Sequence, residues 1–266
     1  MANEDANLSF WDHLDELRGV LLRIIGITLL FGVAAFCFKE LLFDIVLAPS
    51  KSDFITYRLF GQLSSIWGTA TSEFSVDMIN TQLSQQFVTH MKTALFAGLF
   101  CALPYVLYAL LRFVAPALGS DAKRYTFIFI GAGYLMFVIG VLVGYFVIFP
   151  FTFRFLATYV VSDEVVNMIS LSSYMSTFAS MNLIMGLIFE MPILCWLFAK
   201  LDLLSASFMR KYRRHAIVII LIVAAIITPT SDVFTLFLVS LPMWLLYELS
   251  IAIVASVDRR RVSVEE

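Results

Sequence analysis

Apolar residues run through this chain in six long stretches separated by polar breaks. The stretches are Gly19–Phe38, Thr93–Leu111, Tyr125–Phe149, Tyr174–Ala199, Ala216–Thr228 and Val233–Val254. A helix rising 1.5 Å per residue needs about 20 residues to cross about 30 Å of hydrocarbon. The first four stretches meet that length. The fifth has 13 residues before Pro229, and the sixth reaches Glu248 after 15. Both are apolar all round, so periodicity does not separate a re-entrant pair from two thin spans joined by Pro229-Thr230-Ser231-Asp232. Two thin spans would require the bilayer to thin locally.

Composition makes a membrane solvent necessary. Of 266 residues, 61% are hydrophobic and 14% charged, with a mean hydropathy of +0.90. A soluble domain carries about 45–50% apolar and about 25% charged residues. No water-soluble globule of this length hides so much apolar surface. The pattern therefore predicts an all-α, multi-pass membrane protein. Residues 1–266 read as a single integral membrane domain. A net charge of −2 argues against nucleic-acid binding, which needs a basic surface. Cys37, Cys101 and Cys195 lie alone in apolar stretches and form neither a disulfide framework nor a metal spacing. No metal and no cofactor is expected.

The distribution of positive charge predicts orientation. With the N-terminus inside, 13 of the 18 Lys and Arg residues fall on the cytoplasmic side, leaving Lys39, Lys51, Arg58, Lys92 and Arg154 outside. A re-entrant hairpin would still leave both termini inside. Met1 to Arg18 begins polar and acidic, the reverse of a signal peptide, so the first apolar run is read as a retained span. The polar stretch from Lys39 to His90 mixes aromatic residues with Ser, Thr and Gln. It reads as a cap of short helices near the headgroups.

Two places carry polar residues that topology does not explain. Ser9-Phe10-Trp11-Asp12 has the form of a capping box, and Phe10, Leu14, Leu17 and Leu21 share one helix face. The expectation is an amphipathic helix that lies on the inner face and then turns into the first span. Asp12, Asp15 and Glu16 on its polar side suit either a basic partner or a solvated helix N-terminus. Glu190 sits deep in the fourth stretch, in Phe189-Glu190-Met191-Pro192. An ionised acid there costs roughly 2.5–3.5 kcal/mol on insertion scales. It serves as a proton acceptor, as a polar contact for a passing or docked segment, or as a protonated group hydrogen-bonded within the bundle. Gly140 and Gly144 form a GxxxG suited to intramolecular packing. Glu248 is placed to pair with a nearby Lys or Arg, and Asp232 to cap the last stretch. Enzyme signatures such as HExxH, Walker A and GxGxxG are missing.

Several motifs taken together resemble one family. His13-Leu14-Asp15-Glu16-Leu17-Arg18 resembles the N-terminal HLxELR signature of TatC, the core subunit of the twin-arginine protein translocase. Phe113-Val114-Ala115-Pro116-Ala117-Leu118 is similar to its loop motif FxxPAL, and Tyr145 to Pro150 to its YFxxFP. Phe189-Glu190-Met191-Pro192 resembles its FExP, and Thr228-Pro229 with Asp232 its TP…D turn. These motifs span residues 13 to about 248.

The resemblance implies six transmembrane helices, N-in and C-in, in a concave glove-like bundle with short fifth and sixth spans. It implies a location in the cytoplasmic (inner) membrane and a receptor for the twin-arginine signal peptides of folded precursors. TatA/TatB-type single-span subunits would be recruited with energy from the protonmotive force, and the receptor complex would hold several copies of the chain. Carried over by residue, Leu14, Glu16, Arg18, Phe113, Pro116 and Leu118 belong to the signal-peptide site. The family's loop glutamate aligns with Ala122, so Asp121, one residue earlier, is the expected second carboxylate. Ala225, Ile226 and Thr228 are the expected partner-subunit surface, with Leu236 standing where some members carry a polar residue. Glu190 matches the family's intramembrane acid. The competing reading is a proton- or ion-coupled small-solute transporter centred on Glu190. That reading calls for several polar residues on facing spans, where the sequence offers essentially one.

Overall fold

The computed structural model describes residues 10–66, 78–114, 122–160, 162, 168–228 and 232–265. Among them, five helical stretches are long and apolar enough to cross a membrane: Asp15–Cys37, Gln85–Phe113, Phe129–Thr158, Leu171–Lys200 and Val233–Arg259. The fifth apolar segment forms a helix of only 15 residues, Arg213–Ile227. At 1.5 Å per residue it is about 22 Å long, short of the about 30 Å of a hydrocarbon core.

The chain begins with α1 (Phe10–Cys37), α2 (Lys39–Leu47) and α3 (Ile55–Ile66). It was expected to turn between an amphipathic helix and the first span, but α1 is continuous over 28 residues. No proline interrupts that stretch, and Gly19 and Gly26 sit within unbroken helix. The long α4 (Gln85–Val114) follows, then α5 (Ala122–Val143). A π-helical turn, Gly144–Ile148, leads into α6 (Phe149–Thr158), with Pro150 in its first turn, where a missing N–H costs nothing.

The fourth apolar stretch is divided. α7 (Leu171–Phe189) ends at Glu190, and α8 (Met191–Lys200) starts beyond it with Pro192 in its first turn. Pro192 has no N–H for the carbonyl of Ile188, so the α-helical ladder cannot run through. Short α9 (Ala206–Lys211) precedes α10 (Arg213–Ile227), and α11 (Val233–Glu265) continues eleven residues past the predicted end at Val254, so the last span is not the short one expected: Val233–Arg259 alone is long enough to cross. Charged Asp258–Arg261 did not stop it, because propensity and not hydropathy governs a helix once it leaves the apolar layer. One departure from a purely helical fold is a two-residue parallel pair, β1 (Met78–Ile79) with β2 (Ile169–Ser170), in register Met78↔Ile169 and Ile79↔Ser170.

Small residues decide which helices meet. α1 packs along α4, and a Cβ on Gly98 would stand 2.5 Å from the Gly32 nitrogen. Gly140 and Gly144 do pack within the chain, against α7: a Cβ on Gly140 would lie 2.7 Å from the Met185 carbonyl. Gly186 returns the contact, pressed against the ring of Phe137. The main core gathers Phe149, Tyr174, Phe178, Met181 and Met185. A second joins Leu103, Leu107 and Leu111 of α4 to Phe129 and Phe137 of α5, and a third sets α9 against α8 and α11 through Ala199, Met209 and Val254.

Of the cap of short helices expected over residues 39–90, α2 and α3 form within 39–66, residues 67–77 lie outside the described residues, and residues 85–90 belong instead to α4; tyrosines fasten the part that forms. Tyr57 Oη lies 3.0 Å from both the Pro49 and Pro150 carbonyls, its one hydrogen shared between them. Tyr145 Oη donates to the Ile45 carbonyl at 2.7 Å, and Tyr174 Oη to that of Val46 at 2.8 Å. Each such bond adds about 0.5–1.5 kcal/mol net. Burial pushes the Tyr57 phenol above its ordinary range, an effect that the Arg154 guanidinium partly opposes.

Candidate functional site

Three groups of residues stand out. The first lies at the end of α1 and α4 remote from the cap. The two helices are antiparallel: Phe36 stacks on His90 with centroids 3.9 Å apart, Gly32 meets Ala94 and Leu95, and Thr28 meets Gly98. From the Gly32–Gly98 crossing, Glu16 is sixteen residues back along α1 and Phe113 fifteen residues on along α4. At 1.5 Å per residue, those are about 24 Å and about 22 Å in the same direction. Glu16 is thus level with Phe113, although nearly a hundred positions separate them in sequence.

Glu16 and Arg18 are exposed and Phe113 is half-buried. Leu14 lies on α1 one turn before Arg18. The expected site residues Pro116, Leu118 and Asp121 lie outside the described residues. A carboxylate held on a helix can accept a guanidinium fork through both oxygens, a geometry an ammonium cannot supply.

The second group centres on Glu190, which is 5% exposed. Its backbone is the corner between α7 and α8, with its N–H donating to the Leu187 carbonyl at 3.1 Å. Neither carboxyl oxygen has a hydrogen-bond partner among the described residues. A Cβ on Gly133 of α5 would approach Glu190 Oε2 to 3.1 Å and Leu107 of α4 to 2.9 Å. The acid therefore faces α4 and α5 through a glycine gap, beside residues that offer no polar side chain. This arrangement can hold or exchange one proton; as a coordination site for a polar solute it is poorly furnished. A second buried polar group, Asn182, lies two turns earlier on α7. It donates through Nδ2 to the Phe178 carbonyl at 2.8 Å and leaves Oδ1 unpartnered facing Gly144. Asn182 does not stand out in the sequence, because Ser, Thr and Met around it blunt its contrast. Its placement two turns from Glu190 was the available signal.

The third group is the α10–α11 pair. Thr228 is buried, Ala225 is half-buried and Ile226 is 78% exposed, so only Ile226 of the three projects fully. Leu236 is half-buried against the main core. An apolar groove of about 330 Å³ runs between the two helices, lined by Ile217, Leu221, Phe237 and Trp244. The expected pairing of Glu248 is present: Arg213 Nη2 meets Glu248 Oε2 at 2.7 Å. Asp232 Oδ1 accepts the Thr235 N–H at 2.7 Å, capping α11 as expected. Among the described residues, no three His, Cys, Asp or Glu side chains gather in a way that would hold a metal ion.

The family model described as Sec-independent protein translocase protein (TatC) matches residues 12–242. A protein of that name from Blattabacterium sp. subsp. Periplaneta americana is 34% identical, over 98% of this chain and all of its own length. One from Desulforapulum autotrophicum is also 34% identical, over the whole of this chain and 91% of its own. Among solved structures, the fold is similar to the crystal structure of the twin arginine translocase receptor TatC. That match has a TM-score of 0.73 and 29% identity, covering 91% of this chain and 97% of that one. A second crystal structure of TatC, in DDM, matches with the same score and identity.

Proposed function

The chain belongs to the TatC family of Sec-independent protein translocase proteins, and on that premise we propose how it works. It is a multi-pass membrane component of a protein translocase and not an enzyme. Its task is to receive twin-arginine signal peptides and to scaffold the export of folded precursors across the cytoplasmic membrane.

What carries this reading is the similar height of Glu16 on α1 and Phe113 on α4 at one end of the bundle. It supports a composite site in which Glu16 takes an arginine of the signal peptide. Leu14, Arg18 and Phe113 flank it, and Pro116, Leu118 and Asp121 complete it from the following loop. The chain crosses six times with both termini inside, α10 being a short span in a locally thin bilayer. The 15-residue length of α10 supports that count. The bundle is concave, and single-span TatA/TatB-type subunits dock along α10 near Ala225, Ile226 and Thr228. Several copies of the chain share one receptor complex. Glu190 takes up a proton during the step that the protonmotive force drives, which its burial without a polar partner supports.

Photocrosslinking from position 16 or 118 to a twin-arginine precursor in native membranes tests this. Adducts that require the arginine pair are the expected result, and their absence from both positions would sink the receptor assignment. Weaker crosslinking in Asp121→Ala supports a second carboxylate in the loop; unchanged crosslinking leaves Glu16 as the sole acid.

A further inference from the structure

One cavity plays no part in the function described above. It is a groove of about 540 Å³ between α1, α4 and α7, lined by Ile25, Leu29, Leu95, Leu99 and Leu183, with Lys92 on its wall. Lys92, Leu95 and Leu99 repeat at helical spacing, so the cation stands on the same stripe of α4 as the apolar lining. It lies about 10 Å along the axis from Gln85, towards the cap end of the bundle. Its side chain is exposed, and it makes no ion pair among the described residues.

In a membrane such a groove is covered by lipid or by protein. Its lining is apolar apart from Thr28, Ser180 and Lys92, a surface suited to an acyl chain. The lysine then distinguishes among lipids: its stem lies along the apolar wall while the ammonium reaches up to the headgroup level, where it meets a phosphate.

We propose that this groove is a binding site for one anionic phospholipid, with an acyl chain between α1, α4 and α7 and the phosphate on Lys92. The lipid would brace α7 against the α1–α4 pair around Thr28.

The test is native mass spectrometry of the intact protein reconstituted with phosphatidylglycerol or phosphatidylcholine. Wild type retains phosphatidylglycerol preferentially, and Lys92→Gln lowers that preference about fivefold, the worth of one lysine near an anionic surface. Ala179→Trp, which fills the groove from α7, lowers retention of both lipids. Inorganic phosphate added to the buffer does not displace the lipid. An unchanged preference in Lys92→Gln, unchanged retention in Ala179→Trp, or displacement by phosphate alone would overturn the proposal. A photoreactive residue at Leu183 in native membranes supplies a readout independent of purification. An adduct of phospholipid mass is expected, and a polypeptide adduct would assign the groove to a protein helix instead.

Discussion

Gly98 of α4 lies directly on Gly32 of α1: a Cβ at Gly98 would stand 2.5 Å from the Gly32 nitrogen, 2.7 Å from its Cα and 2.7 Å from the Thr28 carbonyl. All three are backbone atoms, so no side-chain rotation relieves the clash. The helices would have to separate. Gly98→Ala is expected to cost about 1–3 kcal/mol, the usual range for overpacking, and to lower the midpoint of thermal unfolding in detergent. Gly131→Ala, at a position with nothing within 4 Å, is the control and leaves the midpoint unchanged or raises it slightly. Because the crossing sets Glu16 level with Phe113, Gly98→Ala also weakens signal-peptide crosslinking at position 16.

Glu190 separates stability from transport. Its carboxyl is buried with both oxygens unpartnered, a condition that costs about 1–3 kcal/mol in a folded protein. Glu190→Leu is therefore expected to raise thermal stability while export of a twin-arginine precursor falls. Glu190→Gln keeps the polarity and cannot ionise; it retains signal-peptide binding and slows the later transport step. Full export by Glu190→Gln at the wild-type rate would exclude a protonation role.

The Arg213–Glu248 pair joins α10 to α11 at 2.7 Å, with the two side chains 48% and 29% exposed. Exposure limits its worth to about 0.2–1 kcal/mol. Arg213→Ala and Glu248→Ala should each destabilise slightly, and a double-mutant cycle should return a coupling within that range. A coupling well above it would place the pair in a drier setting than its exposure indicates.

Tyr57 gives a pH-dependent signature on the cap. Its phenol is held neutral by burial, so its folded pKa lies above the unfolded one. The stability this brings is complete below the unfolded value of about 10 and is lost as pH rises through that region and beyond. Tyr57→Phe removes the bond shared by the Pro49 and Pro150 carbonyls and costs about 1–3 kcal/mol at neutral pH. The loss narrows above pH about 10, as stability profiles of the two proteins against pH would show.

Much of the architecture could be read from residue order. The four long apolar stretches became α1, α4, α5 with α6, and α7 with α8, because a run of that length leaves the backbone no partners except its own in lipid. Asp232 as a cap and Glu248 in an ion pair were also legible, since both roles are short-range or demanded by a charge near an interface. Helix ends were read less well: α11 continues to Glu265 and α4 begins at Gln85, because apolar content marks the hydrocarbon layer and not the helix. The β1–β2 pair was invisible, since two residues on either side carry no periodicity.

By itself the sequence determined the solvent, the apolar segments and the chemical identity of Glu16 and Glu190 as carboxylates in need of a reason. Each of these follows from composition and local spacing. Only the tertiary structure decided which residues meet. Gly32 on Gly98 brings Glu16 level with Phe113, and the gap at Gly133 leaves Glu190 facing α4 and α5 without a polar partner. The groove between α1, α4 and α7 brings Lys92 beside side chains from three separate helices. These are long-range relationships set by where a missing side chain lets two backbones close, and helical periodicity holds no record of them.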